Sequence, residues 1–360
     1  MNDIFKEHLC KYILVFFDDI LVYSNNLEEH VDHLRTFLKI LSFHQLLQLL
    51  LERILAPALY VFGDSLLDSG NNNLLPTIAK ANYLPYGIDF AGGVTGRFTN
   101  GKTISDYIAE QLGLSFSPPS LSLFKSDTIT GRNYASGSCG ILPESGSLFG
   151  KCLNLDDQID LFQKTIEMEL QPHLGSSVEL SDHLSKSIFV ICIGNNDYIS
   201  NYLEPNLLNT SKTYTPQAFA QLLGGRFSQG MESLYKLGTR KFLVFEIGTI
   251  GCMPIFTRTL QHEGPCVEEL NQLVSLFNDG LPAMLKQLTT SLQGSTFAVG
   301  HGSKLGYDMI TNPSKYGLTD ATDPCCIAGN GGTLSCIPGS ISCFDVDKHA
   351  FWFNHRDPLL

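Results

Sequence analysis

No run of 18 uninterrupted apolar residues occurs in this 360-residue chain, which excludes a membrane-spanning helix. No C-x-x-C pair occurs either, so the usual spacing of a zinc site is missing although ten cysteines are present. Basic charge is scarce. The 24 Lys+Arg stand against 36 Asp+Glu, and a net charge of −12 argues against binding a nucleic-acid backbone. Charged residues make up 17% and apolar residues 43%, too apolar for a disordered chain and enough for a substantial core. Collagen-like, coiled-coil and small disulfide-scaffold readings fail on the same numbers. The length suits about two domains, or one large α/β domain with an appendage.

A sharper absence lies inside the chain. Residues 1–55 contain no glycine and no proline, while all 32 Gly and 16 Pro come later. The same segment holds 5 Lys+Arg, 8 Asp+Glu and 4 of the 10 histidines, which suggests a join near Leu55/Ala56. Met1–Cys10 is polar and of mixed charge, so no simple secretion leader opens the chain. Tyr12–Phe17 and Ile20–Tyr23 read as strands around an Asp18-Asp19 turn. Leu27–Leu51 reads as an amphipathic helix, with Leu34, Leu38 and Leu41 at helical spacing.

From Ala58 onward, short apolar runs alternate with helical patterns. Strands are expected at Leu59–Phe62, Asn133–Ala135, Ile188–Ile193, Phe242–Ile247 and Thr296–Val299. Helices are expected around Ile104–Leu112, Leu155–Leu170, Ala218–Leu237 and Glu268–Leu292. Fully apolar short strands separated by helices describe a parallel sheet covered on both faces. Function in such a doubly wound α/β fold is expected at the C-terminal strand ends. Nine of the ten cysteines follow position 138, several in Gly/Pro-rich loops, which reads as disulfides formed in an oxidising compartment.

Three of those strand ends carry chemistry. Val61-Phe62-Gly63-Asp64-Ser65-Leu66 places a serine where the first strand turns, followed by the polar run Asn71-Asn72-Asn73. Ser136-Gly137-Ser138-Cys139-Gly140 follows the second strand, with small residues that let a backbone approach a ligand. Gly194-Asn195-Asn196-Asp197 follows the third. Singly, each is ordinary turn chemistry. Jointly, they supply a hydroxyl, free backbone N–H groups and a side-chain amide, the parts of an oxyanion hole for acyl transfer. No G-x-S-x-G elbow is present, so the α/β-hydrolase arrangement does not apply.

Residues 58–352 resemble the plant-type GDSL esterase/lipases of the SGNH hydrolase superfamily. The matching segments are Val61–Asn73, Gly96–Lys102, Asn133–Gly140, Ile193–Tyr198, Gly248–Pro254 with Cys266, and Phe351-Trp352. The resemblance implies a three-layer flavodoxin-like α/β fold with about five parallel strands. It also implies hydrolysis of a small-molecule acyl ester or lipid by a secreted monomer, without cofactor or metal. By position, Ser65 matches the nucleophile and first oxyanion N–H, Gly140 (or Gly137) the second N–H, and the Asn196 side chain the third donor.

The chain departs from the family at its last block, which should read F-W-D-x-x-H-P. Here the sequence is Phe351-Trp352-Phe353-Asn354-His355-Arg356-Asp357-Pro358, so Phe353 stands at the Asp position and Arg356 at the His position. No D-x-x-H spacing occurs anywhere in the chain. His355, one residue out of register, is the remaining candidate base, with Asp345, Asp347 or Asp357 as its carboxylate; otherwise it is a tail histidine in solvent. The family's terminal helix is also missing, so residues 56–360 read as a domain shortened at its C-terminus.

Residues 12–46 resemble the palm hairpin of a gypsy-type retrotransposon reverse transcriptase. Phe16-Phe17-Asp18-Asp19 matches the turn whose carboxylates hold catalytic Mg²⁺. The rest of the palm and its third carboxylate are lacking. Residues 1–55 are therefore expected to be a non-functional fragment.

Overall fold

A computed structural model describes residues 55–122, 129–326 and 336–352 in full, and the backbone of residues 13–16 and 19–22. The chain divides into two units, Met1–Leu55 and Ala56–Leu360. In the first, strands β1 (Ile13–Phe16) and β2 (Asp19–Val22) pair antiparallel, with Phe16 opposite Asp19. The helix expected over Leu27–Leu51 lies outside the described residues.

In the second unit, the apolar runs form a five-stranded parallel sheet of order β4-β3-β5-β6-β7. Its strands are β3 (Leu59–Gly63), β4 (Gly131–Asn133), β5 (Ile188–Cys192), β6 (Lys241–Phe245) and β7 (Thr296–Gly300). The longer helices that accompany it are α1 (Ile104–Leu112), α2 (Leu155–Thr165), α3 (Ser177–Lys186), α4 (Pro216–Lys236), α5 (Glu268–Ser291) and α6 (Gly302–Thr311). A small parallel pair, β8 (Asp320–Pro324) and β9 (His349–Phe351), lies beside them in sequence order.

Successive side chains of a strand point to opposite faces, so a strand buried on both sides must be apolar throughout. β3 obeys this fully. Tyr60 and Phe62 join Phe162 of α2, Leu184 of α3, Phe219 and Phe227 of α4, and Phe277 and Leu281 of α5 in the main core. Leu59 and Val61 face the other way, against Ala109 and Leu112 of α1. Full burial of each such aromatic or aliphatic side chain contributes about 1.5–3 kcal/mol. Helix starts are fixed locally: the Asn154 side chain accepts from Asp157 N at 3.1 Å, opening α2. Gly113, in the left-handed region at φ 70°, closes α1.

The order of strands sets the place of the site. From β3 the chain crosses to β4 at the sheet edge, then returns past β3 to β5, and continues outward to β6 and β7. The connections leaving β3 and β5 therefore run in opposite directions, which opens a crevice at their C-terminal ends. Ser65 follows β3 and Asn196 follows β5, so they stand on the two lips of that crevice.

The second strand differs from expectation. It runs Gly131–Asn133 rather than Asn133–Ala135, although single ladder bonds continue from Tyr134 N to Val61 O and from Ser136 N to Gly63 O. The Asn133 side chain intervenes there, accepting from Ala135 N at 2.9 Å. The described cysteines form four disulfides, Cys139–Cys152, Cys252–Cys266, Cys325–Cys343 and Cys326–Cys336, and leave Cys192 free and buried.

Candidate active site

Strand β3 ends in a turn built around Asp64. Its backbone N–H donates to Cys192 O at the end of β5, and its carboxylate accepts from Leu66 N at 3.0 Å and from Asn195 Nδ2 at 3.2 Å. Asn195 Oδ1 in turn accepts from Gly248 N at 3.0 Å, so one chain of bonds ties the loops after β3, β5 and β6. Ser65 sits at the apex. It is only 5% exposed, its Oγ has no hydrogen-bond partner, and its N–H is spent on no acceptor among the described residues.

A second carboxylate, Asp68, binds the loop after β4. Its Oδ1 accepts from Gly70 N and Asn71 N, both at 2.7 Å, and its Oδ2 from Gly137 N at 3.1 Å. Asn72 reinforces that link, donating to Gly137 O at 2.9 Å and accepting from Ser136 Oγ at 2.6 Å. The Gly137 N–H is thus engaged, whereas the Gly140 N–H makes no hydrogen bond among the described residues. Ser138, between them, holds φ 69°, a left-handed backbone that costs a non-glycine residue roughly 1–3 kcal/mol.

The third carboxylate, Asp197, closes the arrangement. It accepts from Ile141 N at 2.7 Å, Leu142 N at 2.9 Å and Ser145 Oγ at 2.7 Å. Asn196, its neighbour, donates one amide hydrogen of Nδ2 to Cys139 O at 3.0 Å, which leaves the second hydrogen for another acceptor. A Cβ on Gly140 would overlap the Asp197 carboxylate. Gly140→Ala is therefore expected to push Asp197 off its donors and shift the loop. Read with the Gly140 N–H as an oxyanion donor, that shift is expected to lower kcat in an ester-hydrolysis assay by about 10²–10³, with KM little changed.

The hydroxyl of Ser65, the unspent N–H of Gly140 and the amide of Asn196 therefore belong to three loops cross-tied at one end of the sheet. His355 lies outside the described residues. Sequence reasoning passed over Asp64, Asp68 and Asp197, which hold the loops that carry those groups. The signal was present: an acid placed among small polar residues directly after an apolar strand has backbone N–H groups as its nearest donors.

Burial pushes each of these three carboxyls up from 3.8 to about 6, with hydrogen bonds from neighbouring donors pulling back. The folded state thus holds these protons more tightly than the unfolded chain. Their stabilising contribution is present below about pH 4 and is lost as pH rises through about 6. At about 1.4 kcal/mol per unit, each ionisation costs on the order of 3 kcal/mol. Asp68→Asn is expected to flatten the pH dependence of stability between pH 4.5 and 7.5, whatever it does to absolute stability. Urea unfolding midpoints of parent and variant at the two pH values test this, and parallel curves would contradict it.

Comparison with known proteins adds to this geometry. Residues 59–352 match the family described as GDSL-like lipase/acylhydrolase. The chain is 44% identical over 303 residues to GDSL esterase/lipase 7 of Arabidopsis thaliana, covering 83% of each protein. It is 41% identical over 299 residues to GDSL esterase/lipase At1g71691 of the same plant, covering 83% of this chain and 77% of that one. Together with the five-stranded parallel sheet, these matches mean that the chain belongs to the GDSL-like lipase/acylhydrolase family.

Proposed function

We propose that the protein hydrolyses carboxylic esters of acyl or lipid type, with Ser65 as nucleophile. The Ser65 Oγ forms a bond to the carbonyl carbon, and the carbonyl electron pair moves onto oxygen. The Ser65 N–H, the Gly140 N–H and the second Nδ2 hydrogen of Asn196 receive that oxyanion. The proton from Oγ passes through a base to the departing alcohol as the ester C–O bond breaks. Water then repeats the attack on the acyl-serine and releases the acid. The observation that supports the reading is a buried Ser65 hydroxyl without a partner, on a loop that leaves the sheet at the crevice between β3 and β5.

Two readings of the base follow from the last block. In one, His355 takes the proton. In the other, Phe353 and Arg356 stand where the family has Asp and His, and Ser65 lacks a base. Hydrolysis then falls to the roughly 10³–10⁴-fold over water that binding and the oxyanion donors supply alone. Asp345 already meets His349 Nε2 at 3.3 Å, which favours the second reading. His301, held by Glu246 at 2.9 Å, follows β7, three strands from β3 in the sheet order.

The four disulfides support an extracellular site of action. Residues 1–55 are read as a reverse-transcriptase-like remnant with no role in catalysis or nucleic-acid binding, and the enzyme as a monomer. Among the described residues, no helix is long and apolar enough to cross a membrane. A fluorophosphonate probe and a short p-nitrophenyl ester test the central claim, with hydrolysis expected above background. Rates at background, with no labelling, would leave the impaired reading.

A further inference from the structure

The chain holds a single Asn-x-Ser/Thr triplet whose middle residue is not proline, Asn209-Thr210-Ser211. It lies in the connection from β5 to α4. Asn209 is exposed and starts the one-turn helix Thr210–Thr213. An asparagine in that position ordinarily bends its side chain back to the first N–H groups of the turn. Here it makes no such bond, and among the described residues its amide has no other partner. The backbone beneath it is anchored. Asn209 O accepts from Lys212 N at 3.1 Å and from Thr213 N at 3.0 Å, and Thr210 Oγ1 donates to Asn201 Oδ1. A fixed turn thus presents a free amide to solvent. Two other asparagines lack this combination. Asn206 is exposed too, but Leu208 stands where the triplet needs a hydroxyl. Asn312 has Ser314 two residues on, but Pro313 lies between, and its Nδ2 donates to Asp308 Oδ1 at 2.9 Å.

We propose that Asn209 is an N-linked glycosylation site. The proposal rests on the extracellular reading above, because such triplets are modified in chains that enter the secretory route. The co-reactant is an oligosaccharide carried on a polyprenyl pyrophosphate. Asn209 Nδ2 forms a bond to the anomeric carbon of the first sugar as the bond from that carbon to the pyrophosphate oxygen breaks. Nδ2 gives up one proton and the lipid pyrophosphate leaves; nothing is oxidised or reduced. Leu207, 61% exposed, and Tyr214, 37% exposed, flank the triplet in sequence. A bulky, solubilising glycan at Asn209 covers these two apolar side chains, which are otherwise left to water.

The full chain, carried into the secretory route of cultured plant cells by an added cleavable leader, tests this, whether it is then secreted or retained. The protein recovered from that route is expected to run as one heavier species and to return to the bare mass after peptide N-glycosidase A. The released peptide is expected to be deamidated at Asn209. Asn209→Gln and Ser211→Ala are each expected to lose the whole shift, while Asn312 stays bare. Parent protein without the shift overturns the assignment, as does a shift that persists in both variants. Counting free thiols in the same protein separates this result from failure of the extracellular reading. The four disulfides formed beside a bare Asn209 leave that reading standing and overturn the site. A glycan at Asn209 beside open cysteines does the reverse.

Discussion

Ser65→Ala is expected to abolish fluorophosphonate labelling and, wherever a base serves Ser65, to lower kcat/KM on a short p-nitrophenyl ester by at least about 10³-fold. The same change should leave the protein as stable as the parent, or more stable by about 1 kcal/mol. The Ser65 Oγ is buried and has no partner, so removing it relieves a desolvated hydroxyl and breaks no hydrogen bond. Most losses of activity by mutation come with losses of stability; here the two should move apart. Thermal melts beside the kinetic assay make the comparison. A variant that melts well below the parent, or one that retains turnover, would remove Ser65 from the role of nucleophile.

The second large effect concerns the tail. Phe353→Asp together with Arg356→His rebuilds the D-x-x-H spacing directly after the Phe351-Trp352 pair. A carboxylate-oriented imidazole supplies both the base that activates a serine and the acid that protonates the leaving alcohol. The double variant is expected to raise kcat by two to four orders of magnitude, with the gain lost again on adding Ser65→Ala. Arg356→His alone should recover less, because an unoriented ring spends much of its time in the wrong tautomer or direction. No gain in the double variant would mean that the register read from Phe351-Trp352 is wrong.

The sheet was legible in the sequence because its strands are buried on both faces and therefore apolar at every position, as in Leu59-Tyr60-Val61-Phe62. Leu155–Thr165, Pro216–Lys236 and Glu268–Ser291 showed through their helical periodicity. α3 did not, because Ser177–Lys186 buries only His183 and Leu184 and turns the apolar Val178 to solvent. β8 was hidden for a related reason: Asp320–Pro324 reads as a turn, and Asp320 pairs with His349 of β9 far along the chain. At the proposed site, Ser65 and Asn196 stand out in the sequence by residue type at a strand end. The choice between Gly137 and Gly140 did not, since it depends on whether Asp68 reaches the N–H of one and not the other.

Asp64, Asp68 and Asp197 are almost completely enclosed, and each takes donors from a loop distant in sequence. Releasing any one loop strands a negative charge in a medium that solvates it poorly. The rim around Ser65 must consequently close in an all-or-none manner, with no half-assembled intermediate worth populating. Such cooperativity makes this rim intolerant of drift in one loop at a time.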